Sequence, residues 1–524
     1  MTTTQTTLEA LFEAIPLESR SQNNVPVVQQ EQHQAGRVFE AVPSSTASPA
    51  SRWLITALLF TSNAATIAGG LVLSRELGRD AGPGQANWMV ASYPLTQGAF
   101  VLVTGRLGAI YGHKQLTLIG CTIFTIFSLA NGFCKTHDSF ITMRALTGVG
   151  GGVFMPNAVS ILTTMTESDP RLLCSVPSTG WAHWRATCRC LYRVDQLDVT
   201  FRPHVSIGLD GAVNLAWLAY TMPKETPVDK GGHIDLPGIL MGLGSLLLFN
   251  VVCNLVPSVG WNTPYEIALL MTSVFLFVGF LIWERRYAKE PIMPLSIFGA
   301  PTFTALVFVV LLSYMAFGVS LWYSVAWQQL LRGASVLQTG YGFAPFGFSS
   351  LVAVFVAAWL IPRVAAQWIM AIGVGVTLVA NVLLATMPAQ QTYWAQIFPA
   401  MILCGFCPDL VFVAAQVIAS NSVSRRQQGV ASSLIGTLNL YGNSLGQGFA
   451  GTIETEIGAD ANDEVKGYRA ALYFAAGLAL LGLVLDIIFV RMPKDEREGW
   501  DDPSDNDNQE LGATTTAAEV DSSA

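Results

Sequence analysis

The stretch FTALVFVVLLSYMAFGVSLW, Phe303–Trp322, runs twenty residues without a single charge. A hydrocarbon core of about 30 Å takes roughly 20 apolar residues in a helix to cross. Lipid offers no water to backbone N–H and C=O groups, so such a run is read as a helix that satisfies its own. The same pattern recurs on both sides of it. Clear spans are expected at Trp53–Leu73, Asn87–Thr104, Leu116–Cys134, Phe140–Met165, Leu236–Val256, Ile267–Trp283, Tyr341–Pro362, Trp368–Met387, Ile397–Ser420, Val430–Ile453 and Ala470–Val490. With Phe303–Trp322 they make twelve. A weaker run, Val205–Met222, is interrupted by Asp210.

Composition agrees. Of 524 residues 51% are hydrophobic and 12% charged, about half the charge of a soluble domain. The apolar runs leave no room for one. The formal charge of −8 belongs to a tail: from Lys494 onward ten acids face two bases. The membrane part is close to neutral, and no basic surface points to nucleic acid. Residues 1–52 are rich in Gln, Ser and Thr and lack the basic start and apolar core of a signal peptide. They and the acidic tail, 494–524, are expected to be disordered and cytoplasmic. The eight cysteines do not show the spacing of a disulfide framework. Cys404 and Cys407 form a CxxC inside an apolar run, where they read as small helix-contact residues and not as a metal or redox pair.

Orientation follows from Lys and Arg in short loops. With the N-terminus inside, Arg106, His113 and Lys114 lie on the cytoplasmic side. The same side receives Lys224 and Lys230, then Arg285, Arg286 and Lys289, Arg363, Arg425 and Arg426, and Arg491 and Lys494. The opposite loops are nearly free of bases, apart from Arg332. One is acidic, with Glu454, Glu456, Asp460, Asp463 and Glu464. The alternation requires an even number of crossings between the fourth span and Lys224, hence twelve or fourteen spans in all.

That requirement meets an unusual stretch, Glu167–Ser206, in which Arg171, Arg185, Arg189, Arg193, Asp195, Asp198 and Arg202 interrupt every window. A central Arg or Asp costs about 2.5–3.5 kcal/mol on insertion. Two readings stand: a cytoplasmic insertion in a twelve-span protein, or a mistaken exon join or shifted frame that has replaced a fifth span. In the second case the chain as written is expected to fold poorly or not transport.

GRLGAIYGHK (Gly105–Lys114) follows the second span, and RALTGVGGG (Arg144–Gly152) lies in the fourth. Together they resemble signatures of the major facilitator superfamily, the first its G-x-L-x-D-R-x-G-R-R loop and the second its Arg-led, glycine-rich fourth helix. The extra pair Leu236–Val256 and Ile267–Trp283 is similar to that of the fourteen-span drug:proton antiporter branch common in fungi. The resemblance covers about Trp53–Val490. It implies an all-α polytopic fold of two six-helix bundles. The N-terminal bundle spans 53–223, with 167–206 atypical. A linker with the extra helices follows at 224–300, and the C-terminal bundle at 301–493. It implies alternating access with Gly105, Gly112, His113 and Lys114 in a cytoplasmic gating loop. Ala109 and Ile110 stand where the family's loop has an acid and an Arg, which weakens a charge relay there.

Candidate path residues are polar groups that lipid makes expensive. Arg144 is the one Lys or Arg inside a clear span away from its ends. It faces a cavity or partner, or is bound to carbonyls. The resemblance implies a role in proton coupling or substrate charge. Asp409 is the candidate proton-titrating carboxylate, with Gln416 seven residues on and on its face. Asp486, near the inner end of the last span, is expected to snorkel to the boundary. Asn439, Asn443 and Gln447 recur every four residues and draw a polar stripe down one helix. Asn63 and Gln97 are single polar side chains that either join helices or line a path. The first span, LLFTSNAATIAGG, carries no acid, which tells against proton antiport.

No Walker loop, catalytic triad or nucleotide loop is present, so neither an enzyme nor ATP drive is expected, and no cofactor or metal. The expected function is proton-coupled efflux of small organic molecules such as drugs, toxins or secondary metabolites. The expected partners are the bilayer, the substrate and protons, around a monomer in the plasma membrane or the vacuolar membrane. Two other readings remain: a carrier of a small polar or inorganic solute such as ammonium, and an inactive product of a defective gene.

Overall fold

The computed structural model describes residues 69–75, 77, 82–166, 234–288, 291, 293, 295–299, 301–423, 427–461 and 463–491. All lie in one of the chain's two compact units, Ser48–Ala524. Most of the predicted span Trp53–Leu73, the run Val205–Met222, the whole stretch Glu167–Ser206, and both predicted tails fall outside the described residues.

Helices account for nearly all of the described chain, and no strand occurs there. After a helical stretch at 69–75 come α1 (Pro83–Ala86), α2 (Trp88–Tyr111), α3 (His113–Asn131) and α4 (His137–Thr166). The extra pair is α5 (Leu236–Val259) and α6 (Pro264–Arg286). Then follow α7 (Pro301–Ala326, extended by a π turn Trp327–Leu331), α8 (Val336–Gly342), α9 (Ala344–Leu360), α10 (Ala366–Ala385), α11 (Ile397–Ser422), α12 (Gln428–Ala461) and α13 (Glu464–Phe489). The predicted spans from Asn87 onward each fall on one of these helices, the ends differing by a few residues. The larger departures are α2, which runs on from Thr104 to Tyr111, α12, which runs on from Ile453 to Ala461, and α13, which begins at Glu464 and not at Ala470.

Local signals set the starts. Asp235 caps α5 by accepting from the Gly238 N–H at 3.1 Å, and Trp283 near the end of α6 donates to the same carboxylate at 2.8 Å. Ser335 and Gln338 close a reciprocal capping box on α8. Asp463 caps α13 through the Val465 N–H at 3.0 Å.

Among the described residues seven segments are long and apolar enough to cross a membrane: α5, α6, Thr302–Leu331, Val336–Leu360, α10, α11 and α13. The helices α2, α3, α4 and α12 are about as long but less apolar, and α3, α4 and α12 are rich in Gly, Thr, Ser and Asn. These residues sit where helices meet, and in lipid small side chains are what lets helices approach. In α4, a side chain on Gly148 would strike Tyr93 and Thr96 of α2, one on Gly152 would strike Gln97 and Phe100, and one on Gly150 would strike Phe124 of α3. The glycine motif therefore serves two neighbours at once.

In the C-terminal bundle α7 is the hub, packed on α10, α11, α12 and α13. Trp322 and Trp327 are buried at its end, with Tyr314 and Tyr323 on the same helix. The two bundles meet along α2 and α12. Gly84 and Gly451 face each other at one end of that seam so closely that a side chain on either would meet the other's backbone. Gly98 abuts Leu440 and Tyr441 in the middle, and Gly105 faces Ser433 at the other end. The extra pair lies on this seam: α5 packs on both α2 and α12, while α6 packs on α5 and turns Phe275 and Met271, 78% and 64% exposed, outward. The fold is an all-α, two-bundle membrane protein.

A candidate transport path and its closures

At the end of the molecule that carries the basic loops, α2 and α3 are joined by Gly112 alone. Its φ of +101° is open to glycine and strained for other residues. The turn places His113 on α4: its Nδ1 lies 2.8 Å from Asn157 Oδ1. Asn157 is fully buried and donates to the Thr104 and Val153 carbonyls at 3.2 and 2.7 Å. A side chain on Gly108 would occupy the space of this pair. The loop is thus fastened by a His–Asn contact where the related signature has an acid. Asn157 went unremarked in the sequence, where MPN inside an apolar run looks like filler. Lys114 is half-buried beside this turn.

Arg144 is 1% exposed, with its guanidinium carbon 4.7 Å from the centre of the Tyr93 ring. Tyr93 is itself buried and stands edge-on to Phe124 at 6.4 Å. The cation is thus enclosed by α2, α3 and α4. Gln97, one turn along α2 from Tyr93, is 2% exposed and its Nε2 lies 3.6 Å from the Met155 sulfur.

The other candidates lie in the C-terminal bundle. Asp409 of α11 is half-buried and accepts from the Ser350 hydroxyl of α9 at 2.5 Å. Gln416 does not share a partner with it. Its Oε1 accepts from the Ser432 hydroxyl at 2.5 Å and its Nε2 donates to the Ser432 carbonyl at 3.2 Å, which ties α11 to α12. Asn439 and Asn443 are half-buried and bonded to each other, Asn443 Nδ2 donating to the Asn439 carbonyl at 2.9 Å. Gln447 is 4% exposed, and its backbone carbonyl accepts from Asn87, the residue before α2, at 3.5 Å. The stripe therefore begins half-open and ends sealed in the seam. Asn63 lies outside the described residues.

Two carboxylates are placed differently from the sequence reading. Asp486 does not snorkel: it is 1% exposed, and neither carboxylate oxygen has a hydrogen-bond partner among the described residues. Gly482, one turn earlier, faces Ser313 of α7 and Val374 of α10, so this face of α13 is the packed one. Glu454 is not in a loop. It lies on α12, 9% exposed, seven residues beyond Gln447 on the same face. Nothing between Ile453 and Ala461 breaks a helix, so α12 carries its polar stripe past the apolar run.

A third polar group comes from α5. Asn254 donates to Asn250 Oδ1 at 2.7 Å and to the Ser444 hydroxyl at 3.4 Å, and accepts from Asn87 at 3.2 Å. Ser444 in turn donates to Asn250 Oδ1 at 2.8 Å. This ladder ties the extra helix to both bundles. Among the described residues no three His, Cys, Asp or Glu side chains converge to hold a metal, and Cys404 and Cys407 are buried free thiols.

The model of the Major Facilitator Superfamily matches residues 53–172 and 303–517, more than half of the chain. The chain belongs to the major facilitator superfamily. The match lapses near the start of the unusual stretch and resumes at α7. Relatives bear the family out. Efflux pump terJ of Aspergillus terreus is 30% identical over 429 residues, covering 80% of this chain and 82% of that protein. The low affinity ammonium transporter of Saccharomyces cerevisiae is 30% identical over 434 residues, covering 76% and 80%. An auto-inhibited POT family peptide transporter shares the fold, with a TM-score of 0.59 at 15% identity, covering 86% of this chain and 99% of that one. This superfamily member is a transporter and not an enzyme, a multi-pass protein of the bilayer that takes small substrates.

Proposed function

We propose that this transporter exports small organic molecules in exchange for protons, by alternating access of its two bundles. The observation that carries the reading is Asp409: a half-buried carboxylate held by a single hydroxyl, Ser350, in the heart of an apolar helix. A group so placed is expensive to keep ionised in lipid and is suited to gain and lose a proton as the cavity around it opens. Asn439 and Asn443, half-buried on α12, give a polar substrate a surface on the same bundle. Relatives named as efflux pumps favour export. Arg144 in this reading serves the N-terminal bundle as a buried counter-charge. The protein works as a monomer in the plasma membrane, with both termini cytoplasmic.

The test is expression in a host stripped of its own pumps, with efflux of a panel of toxic organics measured against an imposed proton gradient. Asp409→Asn is expected to reduce pH-dependent efflux about tenfold or more, the scale of one proton-binding unit, at unchanged membrane expression. Efflux indifferent to that change refutes the coupling assignment.

A second reading is a carrier of a small cation such as ammonium. It is favoured by Ala109, by the absence of an acid in the first span, and by the relative named as an ammonium transporter. Ammonium uptake in the same cells separates the two. Equal fluxes with and without the protein across both assays leave the inactive product.

A further inference from the structure

At the end of the seam away from the basic loops, Glu454 of α12 sits where four pieces of the chain meet. The Gly84 backbone N–H of α1 points at its carboxylate, and a side chain on Gly84 would overlap Oε2. The Tyr323 hydroxyl of α7 faces it at a geometry short of a full hydrogen bond, and neither that hydroxyl nor Oε2 has an aligned partner. Tyr468 of α13 stands beside both, its ring centre 6.0 Å from that of Tyr323. Tyr323 and Tyr468 are 0% and 1% exposed. The charged groups in reach are Glu464 at the start of α13, and Arg75 at the end of the helical stretch 69–75, which faces Tyr468. The junction is closed beside it by Trp322, whose Nε1 donates to the Pro83 carbonyl at 3.0 Å.

The position is unusual because the neighbours belong to different bundles. Gly84, Pro83 and Arg75 precede or begin the N-terminal bundle's second span. Tyr323, Trp322, Tyr468 and Glu454 belong to the C-terminal bundle. When the bundles part at this end, Glu454 gains water. When they close, it keeps one backbone N–H, with the Tyr323 and Tyr468 side chains beside it and a second carboxylate nearby. An ionised carboxylate buried with so few donors is unfavourable, whereas a neutral one fits.

We propose that Glu454 is a proton-operated latch on this end of the seam: neutral, it lets α1 close on α7, α12 and α13, and ionised, it holds that end open. The latch takes its proton from the compartment it faces and keeps it while closed, so it gates access and is separate from any proton carried past Asp409. It rests on the alternating access of the reading above but not on its coupling residue.

Hydrogen exchange of the purified full chain in nanodiscs reads the latch without a substrate. Exchange is followed in peptides covering 82–86 and 445–461, comparing variants at equal pH so that intrinsic rates cancel. At alkaline pH these peptides are expected to exchange about tenfold faster in the natural chain than in Glu454→Gln, and at acidic pH the two are expected to coincide. Tyr323→Phe, which leaves the carboxylate in place, retains the pH response and moves its midpoint. Equal exchange in the natural chain and Glu454→Gln at both pH values overturns the proposal, as does a pH response abolished by Tyr323→Phe. A Glu454→Gln chain that does not fold leaves the decision to Tyr323→Phe and to Glu454→Asp, which keeps the response if the carboxylate is the switch. Proton-independent transport by the natural chain would refute the exporter reading and leave these exchange rates untouched.

Discussion

His113 and Asn157 meet 2.8 Å apart where the family signature places charge, and the exchange has a physical price. A charged loop gains its hold from Coulomb attraction, whereas this one depends on a buried amide keeping all its partners. Asn157 is fully buried with three of them: His113, and the Thr104 and Val153 carbonyls. Asn157→Leu removes its two bonds to the Thr104 and Val153 carbonyls and the partner of the His113 ring, an expected loss of about 1–3 kcal/mol. Thermal melting of the detergent-solubilised protein is the measurement. The double variant with His113→Ala should lose less than the two single losses added, since the two share one contact. Strict additivity would show that the contact stabilises nothing. Glycine and apolar spacing made the turn legible in the sequence, but nothing in the sequence pairs His113 with a residue 44 positions away.

At the scale of helices, α12 decides most of the architecture. It touches α2, α5, α7, α11 and α13. The period-four spacing of Asn439, Asn443 and Gln447 announced one face. The others depend on small residues whose partners are remote in sequence. The extra helix α5 is bound to this surface by polar groups as well as by apolar fit: Asn250, Asn254, Ser444 and Asn87 form one hydrogen-bonded group spanning three helices, beside an apolar cluster of Leu246, Phe249, Cys253, Tyr441 and Leu445. In lipid such bonds between helices contribute about 0.6 kcal/mol each on average, up to about 1.7. Asn254→Leu breaks the group at its centre and leaves Asn87 with the Gln447 carbonyl at 3.5 Å. It should loosen the extra pair while leaving each bundle folded. Limited proteolysis of the loops around α5 and α6 is the check: faster cleavage there with unchanged cleavage elsewhere is expected, and no change would mean that α5 is held by packing alone.

For the whole molecule the solvent is lipid, and it reverses the usual sense of inside and outside. On α6, Phe275 and Met271 are the most exposed of the large apolar residues, while Ser273, on the opposite face, is 2% exposed. Phe275→Ala is expected to leave stability within about 0.5 kcal/mol, as for a surface position. Phe275→Arg places a charge mid-span and should cost about 2.5–3.5 kcal/mol of insertion. Glycosylation mapping of a truncated chain ending after α6 measures the inserted fraction. If arginine inserts as well as alanine, α6 does not face lipid. The same solvent makes buried carboxylates informative: Asp409, Glu454 and Asp486 are each withdrawn from water, and each is placed by packing that the chain's local pattern does not reveal.

Hydropathy and loop charge alone determined that this chain crosses a bilayer many times, which segments are helical from Asn87 onward, and, with two short motifs, its superfamily. These properties are local, because twenty apolar residues are a span wherever they pack. Tertiary structure alone decided that α5 lies across both bundles, that Gln416 is bound to Ser432 and not to Asp409, and that Glu454 and Asp486 are buried. A helix presents all its faces to the sequence reader equally, and only its neighbours determine which of them is dry.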